Sequence, residues 1–152
     1  MAETGAVLLE SCREAKLFRE CFINRSSQKP PVSVTAKNFD LFKRLHDSAN
    51  PGMYWTGERI GKDLGNWYIC MREKAYVAMS LWGEVPEIFA LEAATPDEGA
   101  ELISVSAEFA FKEKKTAVLF MIDDGANIDY QAAQRVGFVI CGRYAAYRGI
   151  VS

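Results

Sequence analysis

The stretch from Pro86 to Ile122 limits the fold of this chain more than any other. Glu87-Ile88-Phe89-Ala90-Leu91 has strand character, and the strand is expected over Ile88 to Ala94. Thr95-Pro96-Asp97-Glu98-Gly99 follows, then an apolar-periodic run from Ala100 to Phe111. Thr95 as N-cap, Pro96 at the first helical position and Glu98 three residues after the cap form the signature of a helix start. The core positions of that helix are expected at Leu102, Ile103, Ser106, Phe109 and Ala110, and Lys112 to Lys115 place positive charge at its favourable end. Thr116-Ala117-Val118-Leu119-Phe120-Met121-Ile122 is the most hydrophobic run in the chain. A continuous apolar strand, rather than an alternating one, is buried on both faces. Strand, helix and buried strand in succession imply a parallel crossover in a mixed α/β sheet with helices on each side. A strand feeding a capped helix also points backbone N–H groups above the sheet, a common way to hold an anion.

The flanking segments carry weaker signals. Ala6 to Glu10 fits a strand or the opening of a helix. From Cys12 to Ile23, Ala15, Phe18 and Phe22 recur at helical spacing between Arg13, Glu14, Arg19 and Glu20, which predicts an amphipathic helix. Ser26 to Pro31 is a polar break. Thr35 is expected to cap a second helix with Phe39, Phe42 and Leu45 on its apolar face, ended by Asn50-Pro51-Gly52. A short helix capped at Thr56 comes next. Trp67–Arg72 and Tyr76–Trp82, joined by Glu73-Lys74-Ala75, read as a hairpin. Asn127 to Val136 is a helix ending at Gly137, and Phe138 to Val151 one long or broken strand.

Length and composition exclude several classes. At 152 residues and 17.0 kDa the expectation is a single domain over residues 1–152. No apolar run approaches a membrane span. A net charge of -2 gives no electrostatic reason to expect nucleic acid. The start Met1-Ala2-Glu3-Thr4-Gly5 lacks the basic opening of a signal peptide, so the expected location is cytoplasmic. Cys12, Cys21, Cys70 and Cys141 form no Cys-x-x-Cys pair and the chain has one histidine, so no metal site is expected. Cys70 and Cys141 sit in apolar strand-like runs and are expected as buried, inert thiols. His46, between Leu45 and Asp47, is expected on a helix surface.

The order of elements resembles the GNAT superfamily of acyl-CoA-dependent N-acetyltransferases, most clearly from Asn66 to Tyr147. The residues that carry the resemblance are Arg135-Val136-Gly137-Phe138, similar to the Gly-Phe after the family's last helix, and the Glu87-to-Leu91 strand with its following helix. Tyr54-Trp55-Thr56-Gly57-Glu58-Arg59-Ile60 also looks like a segment ahead of the first hairpin in some members. The resemblance implies a GNAT-like mixed, mostly antiparallel twisted sheet with helices on both faces. It implies that the central strand splays from its parallel neighbour and pairs with the pantetheine arm of acetyl-CoA, the co-substrate. Phe89, Ala90 and Leu91 would then offer strand backbone, Gly99 and Ala100 would lie at the pyrophosphate, and Asn127 would join the cofactor-binding residues.

This chain also departs from the family pattern. The pyrophosphate loop usually carries Gln or Arg, then Gly, then Gly or Ala; those places hold Ala94, Asp97 and Gly99, so the loop is degenerate. The usual tyrosine four residues before the Gly-Phe glycine is Ala133. Glu87 is similar in place to a glutamate base of some members, and a carboxylate there accepts a proton from an attacking amine; Tyr144 and Tyr147 on the last strand are the candidate acids. Tyr54, Trp55, Trp67 and Trp82 gather where an acceptor cleft would lie. Two readings follow: an acyltransferase acting by direct attack of a small-molecule or peptide amine on acetyl-CoA, or a catalytically inactive GNAT-like binding or regulatory module. Strand edges offer a route to a homodimer.

Overall fold

The computed structural model describes residues 6–149, with side chains described over 11–145. Its strands are β1 (Ala6–Phe18), β2 (Val32–Ser33), β3 (Trp67–Arg72), β4 (Ala75–Ser80), β5 (Glu87–Glu92), β6 (Ala117–Asp123) and β7 (Val139–Gly149). The helices are α1 (Phe39–Ala49), α2 (Gly57–Lys62), α3 (Pro96–Lys112) and α4 (Asn127–Val136). One sheet runs in the order β2-β3-β4-β5-β6-β1-β7. Every pairing is antiparallel except β5 with β6, the two strands joined through α3. The expected mixed, mostly antiparallel sheet with one parallel crossover is therefore present.

The sheet separates two apolar clusters. On one face α3 and α4 bury Leu102, Ile103, Ala107, Ala132 and Val136 against Val77, Met79, Ile88, Leu91, Val118 and Phe120. On the other, α1 and α2 bury Phe42 and Ile60 against Trp67, Tyr76, Ala78 and Ala90. Residues directly opposite one another across paired strands share a face, so these clusters fix the facing of every strand between them. α1 and α2 contribute to the second cluster only over the β3–β5 half of the sheet.

The helix expected over Cys12 to Ile23 is corrected: the segment is β1, followed by a short 3-10 turn at Arg19–Cys21. β1 lies between β6 and β7, in register from Cys12 opposite Asp123 to Phe18 opposite Ala117. The 3-4 spacing of Ala15, Phe18 and Phe22 suits a helix, but the fully buried residues are Ala15 and Leu17, two apart. Backbone partners from two strands more than a hundred residues away override a modest local preference. Ala6 to Glu10 is the start of the same strand.

The remaining differences are local. α1 begins at Phe39 rather than after Thr35, because Asn38 folds back and its Oδ1 accepts the Thr35 N–H at 2.7 Å. The hairpin loop tightens to Glu73-Lys74, with Glu73 at a φ of 56°. The Thr56 cap forms, its Oγ1 accepting the Arg59 N–H at 3.2 Å. β7 is broken by a register shift opposite Glu14/Ala15, and the expected strand end at Val151 lies outside the described residues. Gly137 ends α4 at a φ of +110°, and a Cβ there would stand 2.2 Å from the Cys21 carbonyl oxygen. Cys70 is buried as expected, whereas Cys141 is exposed because β7 is the outermost strand. His46 is buried, not on the surface.

Candidate active site

The site is built on β5. Its pairing with β6 is confined to Glu87 opposite Leu119 and Ile88 opposite Phe120. On the other side it pairs with β4 along its length, interrupted by a bulge: Ile88 faces Met79, Ala90 faces Ala78, and Phe89 is the extra residue. Beyond Ile88 the strand edge turned toward β6 therefore has no ladder. This is the geometry expected of a splayed central strand, and it leaves Phe89, Ala90 and Leu91 on the open edge.

Glu87 stands where β5 and β6 are still joined. The register places Trp67, Ser80, Glu87, Leu119 and Lys16 in one row across five strands, all on the face that carries α1 and α2. Glu14 lies one row further on the same face, opposite Met121. Glu87 is half-buried and makes no hydrogen bond or ion pair with any described residue. Burial, and then the charge of Glu14, raise its proton affinity above that of an ordinary glutamate. A partly desolvated carboxylate with a like charge as its electrostatic neighbour suits a proton acceptor better than a structural ion pair.

Aromatic side chains stand next to that row. Trp55 lies 4.8 Å from Trp82 and 5.4 Å from Trp67 between ring centroids, and Trp67 lies 5.5 Å from Trp82 and 5.7 Å from Phe89. Tyr54 packs edge-on against Trp55 at 5.1 Å, with the Arg59 guanidinium over its ring. Trp67 is 6% exposed and forms the base of the cluster, and its buried indole N–H has no partner among the described residues. Trp82 and Tyr54 reach solvent, at 36% and 65% exposure.

His46 holds this wall from behind. Its Nε2–H donates to the Trp55 carbonyl oxygen at 2.6 Å, and its Nδ1 pairs with the Tyr76 hydroxyl at 2.9 Å. The Tyr76 oxygen in turn accepts Asn50 Nδ2–H at 2.8 Å. The ring is stacked on Phe42. The histidine is thus a strut between α1, β4 and the Tyr54-Trp55 segment, with both ring nitrogens committed.

The other end of β5 is closed. The Glu98 N–H donates to Thr95 Oγ1 at 3.1 Å and the Gly99 N–H to the Thr95 carbonyl at 3.0 Å. Glu98 reaches back one residue beyond the usual capping box, its Oε1 accepting the Ala94 N–H at 2.9 Å. Pro96 has no N–H to offer. Asp97 is ion-paired to Arg135, which ties the first turn of α3 to the last turn of α4. Gly99 is buried against α4, and a Cβ there would meet the Ala132 methyl at 2.9 Å. Ala100 is buried too. Between the diverging strands, burial and the charges of Glu92 and Asp123 push the Asp129 carboxyl up to about 7.

Several expected residues do not join this group. Tyr144 lies on the same face opposite Cys12, itself opposite Asp123, so it stands three strands and four residues from Glu87. That is roughly 20 Å at ordinary strand spacings. Tyr147 pairs with Leu8 through its backbone, and its side chain lies outside the described ones. Asn127 is exposed at the first turn of α4, its N–H donating to Gly125. Ala133 is buried and lines a cleft of about 220 Å³ with Tyr130, Phe138 and Ile140. A larger open cleft of about 700 Å³ runs between α1, the β3–β4 hairpin and Glu92-Ala93-Ala94. Among the described residues no cluster of three or more His, Cys, Asp or Glu suits a metal ion, and no helix is long and apolar enough to cross a membrane. Glu14 and Asp129 were missed in the sequence; period-two reading of Arg13 to Leu17 is the signal that finds the first.

Sheet order, the single parallel crossover and the splay define the GNAT fold, and solved structures bear this out. A GCN5-related N-acetyltransferase from Sphaerobacter thermophilus superposes with a TM-score of 0.71 at 12% identity, over 96% of this chain and 55% of that one. One from Kribbella flavida does so with a TM-score of 0.65 at 13% identity, over 95% of this chain and 60% of its own. A functionally unknown conserved protein from Staphylococcus epidermidis matches with a TM-score of 0.63 at 13% identity, over 97% and 64%. This chain thus spans less than two thirds of the length of each. No protein-family model matches the sequence. No curated protein matches it either.

Proposed function

We propose that the protein is an N-acetyltransferase that moves an acetyl group from acetyl-CoA to an amine by direct attack. One observation carries the reading: β5 leaves β6 immediately after Ile88, and the residue at the fork is a half-buried glutamate without a partner among the described residues. The open edge at Phe89, Ala90 and Leu91 fits an extended arm bearing amide groups, which pairs with strand backbone as an added strand does. The first turn of α3 does not fit a diphosphate, since its Glu98 and Gly99 N–H groups are committed within the chain and Asp97 brings a negative charge. Acetyl-CoA supplies an acyl carbon activated as a thioester. Glu87 accepts the proton that the amine loses as its nitrogen bonds to that carbon, the carbon–sulfur bond then breaks, and the CoA thiolate leaves and takes a proton from solvent; the raised proton affinity of Glu87 suits its part.

The closed α3 terminus and Ala133 favour a second reading, a GNAT-like domain without catalysis that serves as a binding or regulatory module. Calorimetry and thermal unfolding with acetyl-CoA separate the two. A saturating ligand, at a hundred times its Kd, stabilises by about 2.7 kcal/mol. Heat of binding with a raised Tm supports the transferase; neither at millimolar acetyl-CoA leaves the module.

A further inference from the structure

The surroundings of Glu87 restrict which amine fits, an inference that rests on the acetyltransferase reading only for the role of Glu87 in the reaction. On one side stand Trp55, Trp82, Trp67 and Phe89; on the other lie the half-buried side chains of Leu119 and Met121. Glu87 is thus set between Leu119 on one side and the buried Ser80, with the aromatic rings beyond it, on the other, and Glu14 lies one row away. A polyamine needs acceptors spaced along its length, and a peptide needs main-chain partners. This stretch of face offers Ser80 beside Glu87 and Glu14 one row on, and apolar side chains otherwise flank the charge: Leu119, Met121 and the aromatic rings. A flat apolar body with one ammonium group matches it, because rings stack on exposed indole and phenol faces while the ammonium reaches the carboxylate.

We propose that the acceptor is a primary amine carried on an aromatic skeleton, its ring laid against Trp82 and Trp55 and its nitrogen at Glu87. His46 is a positioning residue for this site, because it fixes the backbone of Trp55.

The chain's three tryptophans all belong to this one cluster, so intrinsic fluorescence reports on the site directly. The experiment titrates the protein, without acetyl-CoA, with 2-phenylethylamine, 2-phenylethanol and spermidine. Saturable quenching by 2-phenylethylamine is expected, with the other two weaker by about tenfold or more, since each lacks one of the paired contacts. Glu87→Gln should weaken the amine by about tenfold and leave 2-phenylethanol unchanged, and Trp82→Ala should weaken both aromatic ligands. His46→Phe should alter the near-ultraviolet circular dichroism of the tryptophans and weaken 2-phenylethylamine while far-ultraviolet signal is kept. Spermidine binding as tightly as 2-phenylethylamine overturns the inference, and so does the absence of saturable binding at about 10 mM. Binding of 2-phenylethylamine without acetyl transfer to it would sink the enzymatic reading and leave the site standing. Transfer to other amines without binding of this one would do the reverse.

Discussion

The two ends of β5 are built on opposite principles. At its start, Glu87 keeps a half-buried carboxyl group with no partner among the described residues and a like charge on Glu14 one row away. At its end, the Glu98 and Gly99 amides that open α3 are satisfied within the chain and Asp97 has its cation. A carboxylate drawn partly out of water beside a like charge holds its proton more tightly, which suits a proton acceptor better than a structural ion pair. A capped helix start stabilises the helix by itself. The Glu98 and Gly99 donors that a strand-to-helix turn offers an anion are here taken by the Thr95 hydroxyl and carbonyl oxygens.

The comparison breaks most readily at Glu87. Glu87→Gln should lower turnover by about 10²–10⁴-fold, the range for losing a general base, while calorimetry finds acetyl-CoA affinity within about twofold. An unchanged rate would put the base elsewhere. The pH profile gives the same answer independently: removing the neighbouring charge with Glu14→Gln should move the acidic limb of kcat/KM to lower pH, because it relieves part of what raises Glu87.

At the closed end the charge argument predicts a stability effect with a definite sign. The Asp129 carboxyl ionises near 3.8 when unfolded and at about 7 when folded. Between those values the folded state holds a proton that the unfolded state has released, so stability falls as pH rises through this window and stays reduced above it. Asp129→Asn removes the loss. It should raise unfolding free energy by about 1–3 kcal/mol at pH 8, allowing for partial exposure, and change nothing near pH 3. Denaturant melts at the two pH values measure the difference, and equal gains at both would reject the electrostatic account.

What the sequence disclosed follows the same division. The capped start of α3, the buried run of β6 and the Gly137 stop of α4 were legible because neighbouring residues decide them. β1 was not, since its partners lie on β6 and β7 and only their pairing turns Arg13 to Leu17 into a strand. With β1 misread, Glu14 could not be placed on the face of Glu87. His46 gave no local sign of burial either; Tyr76 and Trp55, which commit its nitrogens, come from β4 and a loop. The departures at Ala94, Asp97 and Ala133 were visible in the sequence, but the pairing of Asp97 with Arg135 needed the packing of α3 on α4.

That packing is tested at Gly99. Gly99→Ala puts a methyl against the Ala132 methyl at a separation neither tolerates, and the helices must part slightly. The cost should be about 1–3 kcal/mol. For a domain of this size that lowers Tm by about 2–4 °C per kcal/mol. Ala132→Gly in the same chain should recover part of it, giving a coupling energy that neither single change explains.

The smallest effect is at Thr95. Thr95→Ala removes the side-chain oxygen that accepts the Glu98 N–H and should cost about 1 kcal/mol, read as a modest fall in Tm. It also frees one backbone donor at the helix start, which a site built for a diphosphate would exploit. Asp97 and Glu98 still stand over that donor, so acetyl-CoA affinity should stay within about twofold of the parent value, well under one decade. A clear gain in affinity would show that the terminus is an anion site held shut by its cap alone. An unchanged affinity with reduced stability would assign the turn to the fold and leave the chemistry at Glu87.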